Sequence, residues 1–437
     1  MTATALVYKL EEVAKVTTEP ASGSRWMGRA RTTLLLTVFA APLGFGAVLP
    51  LAWTCITLAT CLALAFWMIG CLEQRRIAFC CSQLHQVAIG LVCFGILQLL
   101  THKTVDPIGT REALLKVATD ITIFFIASAT VVNIPQRPGN RFGYAVSIYA
   151  FAIALFAIIQ SFANPSQIYW AVTPRFGGYI FGPYVNHNHY AGLMEMLLPL
   201  MLAFLFSRSG DPLRPWLGFA ALISYFSVVL SGSRAGLICV TLESLSLAAI
   251  LLISRGIRRS TLAVLLFAAV AAVFLYSWLT PEYVAARLQS AIGRPEATYG
   301  ERRNMALDSI TIMRHFPVTG SGFGSFETIY PQFQSFVTDR QVDHAHNDYA
   351  EFLAEAGIPG AVLLIIALMS FGTCAWRNLI SARWQIDWLR SGATVSCCGI
   401  LLHSFCDFNL HIPANAAWFA LCAAIATTRS LPEPHIA

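Results

Sequence analysis

Residues 260–279 read STLAVLLFAAVAAVFLYSWL, a stretch without a single charged residue. At 1.5 Å of rise per helical residue, about twenty such residues cross the roughly 30 Å of hydrocarbon in a bilayer. Comparable apolar blocks recur near 32–50, 51–71, 84–100, 114–134, 142–162, 189–207, 215–230, 235–254, 357–374, 392–406 and 412–428. The pattern predicts an all-α polytopic membrane protein of about twelve transmembrane helices. Composition agrees: the 437 residues are 56% hydrophobic and 12% charged, whereas an ordinary soluble domain carries about 25% charged residues.

The formal net charge of +6 does not point to nucleic acid, because the basic residues are scattered over short connections and form no continuous stripe. They report topology instead. With the amino terminus inside, Arg75/Arg76, Arg137/Arg141, Arg208/Arg214, Arg255/Arg258/Arg259 and Arg377/Arg383/Arg390 all fall in cytoplasmic connections, as the positive-inside rule requires. The polar start of the chain leads into an apolar block without a small-residue cleavage signature, so the first span is expected to be retained. The expected division is a cytoplasmic tail over 1–31, helices one to nine over 32–279, a large outer loop over 280–345, helices ten to twelve over 346–428, and a cytoplasmic tail over 429–437. The twelve cysteines lie mostly within apolar blocks, with no CxxC pair at metal spacing. They read as small buried hydrophobes.

Three segments face the far side in this arrangement: about 163–188, about 280–345, and the turn from Asp407 to His411. A connection as long as the middle one is usually functional. It carries its own helical signal in Met305, Ile310, Ile312 and Met313, stopped by Phe316-Pro317. A glycine-rich turn, Gly320-Ser321-Gly322-Phe323-Gly324, and the aromatic run Tyr330-Pro331-Gln332-Phe333 follow.

The densest polar constellation is Asp343-His344-Ala345-His346-Asn347-Asp348-Tyr349, where this loop returns to the membrane. An HxH pair could ligate a metal, with Asp407, His403 or His411 completing the set; it could be hydrogen-bonded structure at the boundary; or a histidine could act as a general base, its ordinary pKa near 6.5 leaving neutral imidazole abundant. The last reading is preferred, and no metal or cofactor is assigned. Arginines supply a second ingredient. Arg302 and Arg303 open the loop helix, Arg234 sits in Ser231-Gly232-Ser233-Arg234 at an outer helix end, and Arg175 precedes Gly177-Gly178. Outer-face positive charge runs against the positive-inside bias, and guanidinium groups bind phosphate through forked, charge-assisted hydrogen bonds. A third cluster, Asn186-His187-Asn188-His189, shares letters with an endonuclease motif, but at the start of a membrane helix it is expected to cap that helix and line a polar cavity. Within the spans, Asp120 is expected to pair with Lys116 at i,i−4, and Glu195 and Glu243 to face the bundle interior.

Arg302 to Phe326, RRNMALDSITIMRHFPVTGSGFGSF, followed by Asp343 to Gly360, DHAHNDYAEFLAEAGIPG, resembles the O-antigen ligase and polymerase superfamily. His346-Asn347 followed after nine residues by Gly357-Ile358-Pro359-Gly360 is similar to the ligase-type histidine–glycine pattern. The likeness extends over Arg175 to Gly192 and Ser231 to Gly236, while the amino-terminal third matches only in hydropathy. The resemblance implies a GT-C-like glycosyltransferase of the bacterial inner membrane with a periplasmic active site. Such an enzyme uses an undecaprenyl-diphosphate-linked glycan and needs neither metal nor nucleotide sugar. It implies His346 as the essential histidine and Arg234 and Arg302 as the phosphate-handling arginines, with Arg303 the alternative to Arg302. Many relatives carry a tryptophan shortly after the loop arginine, where Met305-Ala306 stands here. Arg175, Arg303, Asn186, Asn188, His344, Asn347 and Asp348 are the candidate substrate-binding residues. The implied partners are the lipid-linked donor, a lipid A-core or glycan acceptor and membrane lipids, with a chain-length regulator as a further candidate. A twelve-span transporter or a flippase is the rival from another class. It is disfavoured because the late one-sided loop has no counterpart in the first half and the polar cluster lies at a surface rather than the midplane.

Overall fold

Helices begin where local chemistry satisfies their first free N–H groups. In the computed structural model, which describes residues 24–75, 77, 82–132, 136–174, 179–208, 210–255, 299–338, 341–381 and 387–428, Ser24 caps α1 (Arg25–Ala40) and Asp106 caps α4 (Pro107–Thr130). Asn186 caps α6 (His187–Ser207) and Asp387 caps α12 (Trp388–His403). Proline opens α2 (Pro50–Gln74) and α13 (Pro413–Thr427), where its missing N–H costs nothing. The remaining helices are α3 (Gln83–Leu100), α5 (Gln136–Ala163), α7 (Arg214–Ser231), α8 (Arg234–Arg255), α9 (Tyr299–His315), α10 (Phe326–Ile329) and α11 (Asp348–Ser381). Among the described residues every regular element is helical.

Among the described residues, seven helices, α2 to α7 and α11, are long and apolar enough to cross a membrane. The chain is a polytopic membrane protein whose sequence blocks outnumber these seven, because several blocks form shorter helices. α12 has 16 residues and α13 has 15. The block expected at 32–50 is broken: α1 stops at Ala40 and two 3₁₀ turns follow, with left-handed φ at Phe45, Gly46 and Ala47 around Pro42 and Gly44. The block at 260–279 lies outside the described residues, as do both chain ends and Arg175 to Gly178. Inside α4, Lys116 pairs with Glu112 at 2.9 Å rather than with Asp120, which a sequence spacing of four allowed equally well on the other side.

α6 is the bundle's axis. It is almost wholly buried, packed on α5, α7, α8, α12 and α13. Small residues permit the close approach. A Cβ at Gly392 of α12 would stand 2.8 Å from the Leu200 Cα, and one at Gly236 of α8 would collide with Ala191. Glu195 and Glu243 do face this interior, as their charge requires in a bilayer.

The described part of the outer loop, from α9 to α11, builds a small core of its own from Met305, Ile312, Phe326, Ile329, Tyr330, Val342 and Ala345 against Ala354. Asp308 ties it together by accepting from the Tyr330 hydroxyl at 3.0 Å and from the Ser335 backbone at 3.1 Å. It docks on α11 through main chain. Ser321 N donates to Ala354 O at 3.0 Å, Gly322 N to Glu355 O at 3.1 Å, and Ile358 N to Pro317 O at 2.9 Å. Gln98 of α3 donates to Thr319 O and Glu355 O, clamping both sides.

This contact needs the glycine of the histidine–glycine pattern. Gly357 adopts φ +60°, ψ −156° and kinks α11, and a Cβ there would meet Pro317 O at 2.7 Å and Gly320 N at 2.9 Å. That backbone region is essentially closed to other residues and costs them about 1–3 kcal/mol. Gly357→Ala is expected to lower the thermal midpoint of detergent-solubilised protein by several degrees and to expose 316–322 to limited proteolysis. An unchanged midpoint and cleavage pattern would contradict this docking.

Candidate active site

The residues singled out between 343 and 349 reach the turn between α12 and α13, and four carboxylates there, Asp407, Asp348, Glu351 and Glu195, are matched to histidines. His346 Nδ1 lies 3.1 Å from Asp407 Oδ1, and the same oxygen accepts from Phe408 N at 2.9 Å. His411 Nδ1 lies 2.7 Å from Asp348 Oδ1, and His344 Nδ1 lies 2.7 Å from Glu351 Oε1. One layer deeper, His403 Nδ1 meets Glu195 Oε1 at 2.6 Å. The Phe408 ring organises three of the imidazoles: it stacks on His344 at 4.3 Å and stands edge-on to His189 and His346 at 4.7 and 5.0 Å.

Asp407 is fully buried. Burial alone would raise its carboxyl, but the His346 hydrogen bond and the His189, His346 and Arg302 charges outweigh it and hold the group well below the usual carboxylate range. An acceptor-only carboxylate fixes the proton of His346 on Nδ1 and leaves Nε2 with a lone pair. The His346 ring keeps a 17% exposed side chain, and its backbone is left-handed, φ +49°. A bulky residue in that region marks a position the surroundings enforce. Burial lowers His344 and His411, yet the Glu351 charge more than compensates in both, and with Asp348 it pushes His411 up to about 10.

Of the candidate arginines, Arg302 reaches the same layer. Arg302 Nη1 donates to Cys406 O at 2.8 Å, one residue from Asp407. Arg303, a hundred degrees further round α9, is exposed. Arg234 is the exposed first residue of α8, following Gly232 at φ +76° and a Ser233 hydroxyl that accepts from Gly236 N. On α8, Cys239 stands beside Glu195 and His403, Glu243 beside Gly399, and Gly236 beside Ala191. These registers bring Arg234 level with His189 and with the 407–408 turn. Arg175 lies outside the described residues.

Other expected binding residues are already engaged in structure. Asn186 caps α6 through Asn188 N, and Asn188 is buried. Asn347 starts α11 by accepting from Ala350 N, and it donates to Phe405 O. Asp348 accepts from Ser404 Oγ and Leu410 N besides His411. They shape the site's walls. His189 is buried with neither ring nitrogen hydrogen-bonded among the described residues, its Nε2 3.9 Å from Asp407 Oδ1.

Residues 219–365 match the family model described as O-antigen ligase. The match supports an assignment to the O-antigen ligase and polymerase superfamily. None of the curated proteins matches the chain. The matched region runs from within α7 to within α11 and holds Arg234, Arg302 and His346. The carboxylate that orients His346 comes from outside it. The sequence offers Asp407 only as an optional metal ligand, since 61 residues separate it from His346. The one available signal was an acidic residue at a membrane boundary beside histidines.

Because Asp407 is an anion well below the normal range, its contribution to stability is complete above the unfolded value near pH 4 and is lost as pH falls through the lower folded value. The thermal midpoint of wild-type protein should therefore fall between pH 5 and pH 3 more steeply than that of Asp407→Asn. Parallel acid profiles would show that the pair contributes no differential stability.

Proposed function

We propose that this protein is a glycosyltransferase of the bacterial inner membrane. It transfers a glycan from an undecaprenyl-diphosphate carrier to an acceptor hydroxyl on the periplasmic face, in the manner of an O-antigen ligase. The observation that carries the reading is a histidine oriented by a buried carboxylate, His346 on Asp407, with Arg302 held one residue away, in a chain whose matched region is described as O-antigen ligase.

The chemistry needs few parts. Diphosphate is a good leaving group, so the protein must hold it, remove the acceptor proton and bring both reactants to one anomeric carbon. The acceptor hydroxyl approaches His346 Nε2 and gives up its proton as its oxygen bonds to the anomeric carbon. The bond from that carbon to the diphosphate oxygen breaks, and the electron pair stays on the diphosphate, held by the Arg234 and Arg302 guanidinium groups. Attack from the opposite face inverts the anomeric configuration. The resulting imidazolium is stabilised by Asp407, the part a buried carboxylate plays beside a catalytic histidine. Arg302 is preferred over Arg303 because its side chain meets the turn that carries Asp407. No step requires a nucleotide sugar. The sequence orientation, with both termini cytoplasmic, puts this layer on the periplasmic side.

The acceptor separates a ligase from a polymerase: lipid A-core for the first, another glycan repeat for the second. Mass spectrometry of lipid-linked and surface glycans in cells lacking the gene decides. Full-length undecaprenyl-linked chains should accumulate for a ligase and single repeats for a polymerase, and wild type should restore transfer. If neither accumulates, the glycosyltransferase reading fails.

A positioned general base contributes about 10²–10⁴ in rate. His346→Ala should therefore lower transfer by that factor in membranes containing normal amounts of protein, and wild-type-like transfer would remove His346 from the chemistry. Asp407→Asn should lower kcat with little change in KM, since it disturbs the tautomer and not the donor contacts. A rise in KM alone would assign Asp407 to binding.

A further inference from the structure

A second cluster beside the proposed catalytic pair is left unused by the transfer chemistry. His344, Glu351 and His411 come from three separate segments, the end of the loop, the first turn of α11 and the turn before α13. Their donor atoms all lie within 4.8 Å of one another. Glu351 Oε1 is 2.7 Å from His344 Nδ1 and 3.3 Å from His411 Nε2. We propose that these three side chains form a binding site for a divalent transition metal ion of the zinc class.

The donor set and its spacing fit. A tetrahedral ion with bonds of about 2.0–2.1 Å to nitrogen and oxygen holds neighbouring ligand atoms about 3.3–3.4 Å apart. The Glu351–His411 spacing already has that value, and the Glu351–His344 contact has to open by about 0.6 Å. Imidazole and carboxylate together suit zinc better than magnesium or calcium, which prefer oxygen throughout.

The surrounding contacts are those a metal site requires. A ligating histidine usually donates its second ring nitrogen to a carboxylate, which fixes its orientation. His411 does this through Nδ1 to Asp348 Oδ1 at 2.7 Å, aiming Nε2 at Glu351. Asp348 is in turn held by Ser404 Oγ at 2.7 Å. Glu351 is aimed through its other oxygen, which accepts from Ala345 N at 2.8 Å. The His344 ring is fixed against Phe408. His344 and His411 keep side-chain exposures of 28% and 31%, leaving the outer side of the cluster open for water as a fourth ligand.

Such an ion acts as a clamp. It would join the loop, α11 and the 407–411 turn at the point where Phe408 separates the cluster from His346, and so hold the Asp407 side of the catalytic pair without touching the reacting atoms. The proposal is independent of the glycan reading, because metal content is measured whether or not transfer occurs.

The test uses the full chain, purified in detergent without a polyhistidine tag and stripped with a chelator, then titrated with Zn²⁺ and, as a spectroscopic probe, with Co²⁺. The expected result is about one equivalent bound with a tetrahedral cobalt spectrum lacking thiolate charge transfer. Binding should weaken at least tenfold in His411→Gln and Glu351→Gln and be retained in Cys239→Ser. The cysteine control matters because Glu195, Cys239 and His403 form a second cluster of similar spacing deeper in the bundle. No stoichiometric binding by wild type, a thiolate band, or loss only in Cys239→Ser would overturn the assignment. If a ligand variant fails to fold, the wild-type stoichiometry and spectrum decide alone.

Discussion

A carboxylate taken out of water must be matched by a partner, or it destabilises the fold by several kcal/mol. At the outer end of this bundle four of them, Asp348, Glu351, Asp407 and Glu195, are buried together. The chain meets the requirement with histidine each time, pairing them with His411, His344, His346 and His403. These pairs connect α6, α11, α12, the loop and the turn before α13, elements that are far apart in sequence. The same contacts that satisfy the charges therefore assemble the site, and at His346 an Nδ1 committed to Asp407 leaves Nε2 with a lone pair.

The glycines make that assembly reachable. Gly357 breaks α11 so that the loop's main chain can dock beside it, and Gly392 and Gly236 let α12 and α8 close on α6. Without these approaches His344 and His346 would not meet the 407–411 turn. The left-handed His346 is the local cost of reaching Asp407, and it is tolerated because both neighbouring segments are clamped.

Much of this was legible in the sequence. Apolar block length identified a membrane protein, and the periodicity of Met305 and Ile312 located the loop helix and its stop at Phe316-Pro317. The histidine–asparagine pair and the loop arginines drew attention to His346 and Arg302, which both meet the 406–407 turn. What stayed hidden were partnerships between distant positions. Nothing in a linear pattern joins His346 to Asp407 or His344 to Glu351, because spacing rules act only within one helix. Block length also overstated regularity: 32–50 is hydrophobic throughout, yet Pro42, Gly44 and Gly46 turn its second half into two 3₁₀ turns. The sequence left Arg302 and Arg303 as alternatives, and a rotation of one residue on α9 separates them.

The central claim is that the His346–Asp407 layer moves a glycan off a lipid diphosphate. The most direct measurement is reconstitution of purified protein in liposomes with an undecaprenyl-diphosphate-linked glycan and an acceptor. Release of undecaprenyl diphosphate is followed by mass spectrometry, and the anomeric configuration of the product by NMR. The account predicts release coupled one-to-one to transfer, with inverted configuration, and loss of both in His346→Ala. Retained configuration, or equal release by wild type and His346→Ala, would contradict it.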